Sequence, residues 1–157
     1  MERVFLERYF ARSLALDSIV VGTSLGRRSW SPVLGRISLT RDLFQERDPR
    51  ADVRLEDPVA ASVFAHEALH VWQRQHGRGV TREGAWLQAG YSLGWFDPYA
   101  YDLTLSDPRA LLAAFVLGNI EQQGRMMQDY VAADLRGQDT SRFAAISAWI
   151  RNTPARR

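Results

Sequence analysis

The sequence predicts an α+β fold, and three observations carry that prediction. Two long segments with apolar stripes at helical spacing each open on an Asp-Pro pair, two short β-like runs precede the first of them, and 46% of the 157 residues are apolar. This length and composition suit one globular domain over residues 1–157, with roughly two thirds of its surface buried. A first helix is expected near residues 2 to 13, where Val4, Phe5, Leu6, Tyr9 and Phe10 form a face. Ser18-Ile19-Val20-Val21 and Gly35-Arg36-Ile37-Ser38-Leu39-Thr40 follow, the second alternating apolar and polar residues, and together they predict a small antiparallel sheet. Ser29 to Val33 reads as a further strand that Pro32 confines to an edge. Asp57-Pro58 and Asp107-Pro108 each set a capping carboxylate before a proline whose missing N–H costs nothing at the first helical position. Helices of roughly residues 58 to 76 and 108 to 136 are expected from them, and a shorter one at about 141 to 151 behind Thr140 or Ser141. Residues 77 to 106 read as a long glycine-rich connection carrying Trp86, Tyr91, Trp95, Phe96, Tyr99 and Tyr101, either a satellite cluster or the wall of a pocket.

Composition excludes several chemistries. There is no cysteine, hence no disulfide framework, thiolate metal site or cysteine nucleophile, and any metal must use His, Asp or Glu. All 20 basic residues are arginine, which removes Schiff-base and P-loop lysine chemistry. The net charge is only +2 and the arginines are scattered, paired only at Arg27/Arg28 and Arg156/Arg157, so no nucleic-acid partner is expected. No apolar run approaches the ~20 residues of a membrane span, and the start MERVFLERYFARS lacks a signal-peptide core. The chain is therefore expected to be soluble, with no membrane partner and no export by the general route.

All three histidines fall between positions 66 and 76, and two belong to His66-Glu67-Ala68-Leu69-His70 on a predicted helix. Residues four apart lie one turn apart on the same face, so both imidazoles reach one Zn²⁺ while Glu67 lies beside the water as general base. Val63, Phe64, Leu69, Val71 and Trp72 surround the motif, so the helix is expected to be buried and its polar residues to need partners. A catalytic zinc usually takes a third protein ligand. His76 has the spacing of an H-E-x-x-H-x-x-G-x-x-H pattern, but Gln73 replaces the turn glycine, and on a continuous helix His76 lies about 240° around from His70. Glu121 lies opposite the apolar stripe of Leu111, Leu112, Phe115, Val116, Ile120, Met126, Met127 and Tyr130. Its own face carries Ala110, Ala113, Ala114, Leu117 and Gly124. A lone carboxylate among small residues suggests close approach to another element, which favours Glu121 over Asp102, Asp107, Asp129 or Glu83. Trp72, Trp86 and Trp95 are expected in the core, as are Met126 and Met127.

Ala65-His66-Glu67-Ala68-Leu69-His70-Val71-Trp72-Gln73, with Asn119-Ile120-Glu121-Gln122-Gln123 and Asp129-Tyr130 about fifty residues on, resembles the compact bacterial gluzincins. These include metallopeptidase domains near contractile injection systems and polymorphic effector loci. The resemblance runs over roughly residues 18 to 131, including the strand-like Gly35 to Phe44. It implies a zincin-like fold, one catalytic Zn²⁺ on His66, His70 and Glu121, Glu67 as general base, and a peptide or protein substrate. In larger gluzincins an aspartate often follows the ligand glutamate by four residues, but here that position is Arg125, leaving Asn119 or Asp129 to orient a ligand histidine. An oxyanion donor is expected among Tyr99, Tyr101, Tyr91 and Arg125, with Tyr101 foremost. A free edge on the 35 to 40 strand would let an extended peptide pair beside the metal. Such a domain would work in the bacterial cytoplasm or leave through a dedicated machine. The rival expectation is a zinc-stabilised binding or structural module of a secretion or toxin assembly, which has no need of Glu67. A third is hydrolysis of a non-peptide amide.

Overall fold

A computed structural model describes residues 1–24, 26, 29–31 and 35–154, and the fold is α+β. The elements are α1 (Glu2–Phe10), β1 (Val20–Thr23), β2 (Arg36–Leu39), α2 (Pro58–Gln75), α3 (Val80–Ser92), α4 (Pro108–Leu117), α5 (Ile120–Leu135) and α6 (Ala144–Asn152).

The centre of the molecule is α2. Its start is set as the sequence predicts, with Asp57 accepting a hydrogen bond from the Val59 N–H and Pro58 in the first turn. Residues 60 to 73 are buried apart from Val63, so the helix is covered on almost every side. Each large side chain so enclosed, such as Phe64 or Leu69, contributes roughly 1.5–3 kcal/mol of burial. Phe5 and Phe10 of α1, Ile37 and Leu39 of β2, Phe115 of α4, Met126 and Met127 of α5 and Ile146 of α6 complete this core. Val4, expected on the inner face of the first helix, is 72% exposed.

The sheet departs from expectation. β1 and β2 pair in parallel, Val20 opposite Arg36 and Thr23 opposite Leu39. A parallel pair needs a crossover of roughly a dozen residues, and the segment between Thr23 and Arg36 is that long; a hairpin would need only a few. On its way the chain lays Trp30 antiparallel against the other edge of β2, with the Ser38 N–H on the Trp30 carbonyl and the Trp30 N–H on the Ser38 carbonyl. The edge expected to be free for a peptide is thus occupied at Ser38. Residues 32 and 33 of the predicted 29 to 33 strand lie outside the described residues, as do both arginine pairs. Gly35, just before β2, has φ +71°, and a Cβ there would sit 1.9 Å from the Ser18 carbonyl oxygen.

Two helical boundaries also differ. The connection after α2 contains a helix, α3, in spite of Gly84 and Gly90, each costing about 1 kcal/mol of helix propensity. At Gly90 the missing side chain makes room for Phe96, whose ring lies 2.5 Å from where a Cβ would stand, so packing overrides propensity. The helix expected over 108 to 136 is two helices, because Gly118 is extended and Asn119 starts α5 with a capping box. The Asn119 side chain accepts from the Glu121 and Gln122 N–H groups, and the Gln122 side chain accepts from the Asn119 N–H. Val116 and Leu117, expected to continue the helix faces, are 47% and 86% exposed at the end of α4.

Candidate metal centre

The site forms where α5 packs along α2. One turn of α2 separates His66 from His70, and their Nε2 atoms lie 3.1 Å apart with ring planes at 81°. Glu121 enters from the first turn of α5, its Oε2 3.3 Å from His66 Nε2 and 3.6 Å from His70 Nε2. All three residues are buried, and among the described residues they form the group of histidine and carboxylate side chains whose ligand atoms converge closely enough to hold one metal ion. The approach of the helices depends on Gly124, where a Cβ would stand 2.6 Å from the His66 ring. Of the small residues flanking Glu121 in sequence, this glycine makes that contact, whereas Ala113 and Leu117 are exposed on α4.

Neighbouring elements aim Glu121. The Arg78 guanidinium grips both oxygens of Glu83 (2.9 and 3.0 Å) and donates to the Gly118 carbonyl at 3.0 Å, while Glu83 accepts the Ile120 N–H at 3.1 Å. Glu83, weighed as a ligand, therefore caps the helix that carries Glu121. Burial by itself would raise the Glu121 carboxyl, but the hydrogen bond to His66 and the closeness of both imidazoles outweigh it and hold the group far below the ordinary carboxylate range. Glu67 is pushed the other way, upward, by burial that the positive character of His70 and His66 offsets only in part. Its Oε2 is buried without a hydrogen-bond partner among the described residues.

These groups open onto a cleft of about 1100 Å³. One wall is Trp30, Ser31 and Ser38 of the sheet edge, tied to α2 by Arg74, which donates to the hydroxyl and the carbonyl of Ser31. The facing wall is Gly84, Ala85 and Gln88 of α3 with Tyr99, whose ring centre lies 6.3 Å from that of His66 and whose hydroxyl accepts from Gln88 at 2.8 Å.

Tyr101 is not brought to this cleft. Its hydroxyl donates to Asp129 at 2.8 Å and accepts from Arg142, and its ring packs on the main core, because the turn after Tyr99 carries the next tyrosine to the other side. Arg125 pairs with Asp129 on the surface, and Tyr91 is half-exposed, edge-on to Tyr99. His76 stacks on Trp72 at 4.1 Å and bonds the Trp72 and Pro154 carbonyls, far from any shared ligand position. Asp107 caps α4, and Asp102 bonds Thr104. Trp72 is core, but Trp86 and Trp95 are 64% and 69% exposed. Met126 and Met127 are buried.

Neither Asn119 nor Asp129 supports a ligand histidine. That position belongs to Gln73, whose Oε1 lies 2.8 Å from His70 Nδ1. The signal was present in the sequence, since a residue three after His70 shares its helical face.

No family model matches the chain, and no solved structure matches it. Over 105 residues, 66% of its length, it is 37% identical to part of the type VI secretion system spike protein VgrG2b of Pseudomonas aeruginosa, and it spans about 10% of that relative's length. Among the described residues no helix is long and apolar enough to cross a membrane.

Proposed function

We propose that the chain is a zinc-dependent peptidase domain of gluzincin type, hydrolysing peptide bonds in a peptide or protein substrate and acting within a bacterial secretion system. The observation that carries this reading is the convergence of His66 Nε2, His70 Nε2 and Glu121 Oε2, with Glu67 buried in the same cleft and one of its oxygens unpartnered among the described residues. Two imidazole nitrogens and one carboxylate oxygen are a donor set that suits zinc, and three protein ligands leave a position open. A site that only held a metal for stability would have no need to bury Glu67.

When bound, zinc would supply a Lewis acid that acidifies water and polarises a carbonyl. Glu67 takes the proton of the attacking water, for which a carboxyl raised above its ordinary range is better matched, and delivers it to the leaving amine as the C–N bond breaks. Glu121, whose carboxyl lies well below its ordinary range, keeps its charge at the metal position. Tyr99 replaces Tyr101 as the tyrosine on the cleft wall where an oxyanion donor is needed. The part-length match to a secretion spike protein supports delivery by a dedicated machine.

The same match favours the second reading, a zinc-stabilised non-catalytic module of such an assembly. Wild type and Glu67→Gln, both loaded with zinc and checked for metal by elemental analysis, separate the two on an unbiased peptide library read by mass spectrometry. A peptidase cleaves, and Glu67→Gln loses roughly 10²–10⁴-fold in rate at unchanged zinc content. Absence of cleavage by zinc-loaded wild type would leave the module reading.

A further inference from the structure

Behind His70 runs a chain of buried amides whose direction is set at its far end. The Phe115 carbonyl in the last turn of α4 can only accept, so the Gln123 atom 2.7 Å from it is the donating Nε2. Gln123 Oε1 then faces Gln73 and accepts from its Nε2 at 2.7 Å. A second carbonyl, that of Ile120, receives the same Gln73 Nε2 at 3.3 Å and places the amide nitrogen there independently. Gln73 Oε1 is therefore turned to His70, and at 2.8 Å it requires a proton on Nδ1. Turning the Gln73 amide over would set its oxygen against two acceptors inside the protein, where Gln73 is 1% and Gln123 3% exposed.

We propose that Gln73 and Gln123 are positioning residues that hold neutral His70 in its Nδ1-protonated tautomer, with the Nε2 lone pair presented to Glu121 and His66 before any metal arrives. His66 has no such support. Its Nδ1 is buried with no hydrogen-bond partner among the described residues, so its tautomer is left to the site itself. The two histidines are accordingly unequal: His70 is the preset ligand, and His66 completes the site. The use of this arrangement rests on the metal reading above, but the tautomer does not.

The chain has three histidines, which makes ring nitrogens separable by long-range ¹H–¹⁵N correlation on metal-free protein at about pH 9, well above the ordinary imidazole range. Wild-type His70 is expected to show a protonated Nδ1 and a bare Nε2. Gln73→Leu should abolish that preference and weaken zinc binding, measured by chelator competition, roughly 10–100-fold. Gln73→Glu restores an acceptor for Nδ1 and should recover the tautomer and most of the affinity. A wild-type His70 protonated on Nε2 overturns the proposal without any variant. An unchanged zinc affinity in Gln73→Leu, with the tautomer lost, overturns the positioning role. If the tautomer is as expected and wild type takes up no zinc, the peptidase reading fails while the relay stands.

Discussion

The two sides of the cleft are built on opposite principles. On the α2–α5 side the chemistry-bearing groups His66, Glu67, His70, Gln73, Glu121 and Gln123 are all buried, and helix caps and amide bonds hold His70, Gln73, Glu121 and Gln123. On the α3 side the segment running on to Tyr101 exposes Trp86, Leu93 and Trp95 and offers the cleft Gly84, Ala85, Gln88 and one tyrosine. A group that must meet a metal to within a fraction of an ångström belongs on two helices locked together. A wall that meets substrate tolerates looser construction.

Substitutions can test how far that contrast extends. The largest effect is expected from Gly124→Ala, since the new Cβ would stand 2.6 Å from the His66 ring and neither helix can yield without losing packing. We expect zinc content near zero by elemental analysis and a stability loss of roughly 1–3 kcal/mol by denaturant titration, even though alanine is the better helix former. Glu83→Ala removes the acceptor for the Ile120 N–H and the partner of Arg78. It should cost about 1–2 kcal/mol and weaken zinc binding, because the first turn of α5 carries Glu121. If zinc affinity is unaffected, the positioning of Glu121 does not depend on α3. Tyr101→Phe loses the bonds to Asp129 and Arg142 and should cost about 1 kcal/mol with cleavage rates unchanged. A rate loss there would return Tyr101 to the mechanism. The smallest effect is expected at Trp95, 69% exposed, where Trp95→Ala should stay within about 0.5 kcal/mol in thermal melts.

The same two sides differ in how well the sequence could be read. Asp57 before Pro58 located the start of α2, and the i, i+4 spacing of His66 and His70 put both rings on one face, because caps and helical periodicity act between near neighbours. Glu121 was legible as a carboxylate among small residues, although Gly124 is the residue that makes that close approach to His66. Asn119 was misread, since the pairing of Asn119 with Gln122 three residues on is a capping box that marks a new helix. Across the cleft, Gly84 and Gly90 argued against a helix, and only the tertiary contact with Phe96 shows what Gly90 makes room for. Tyr99 and Tyr101 have nearly the same sequence context, and the path of one turn sends the first to the cleft and the second to Asp129.

By itself the sequence determined the fold class, the histidine pair on one face of α2, the carboxylate that meets it and the absence of cysteine chemistry, all of which follow from residue type and short-range spacing. The tertiary structure alone decided the parallel pairing of β1 with β2, the break before Asn119, the choice between two tyrosines and the amide chain from Phe115 to His70. Each of these depends on which distant groups become neighbours in the interior, where an unpaired polar atom is costly and two side chains cannot share one space.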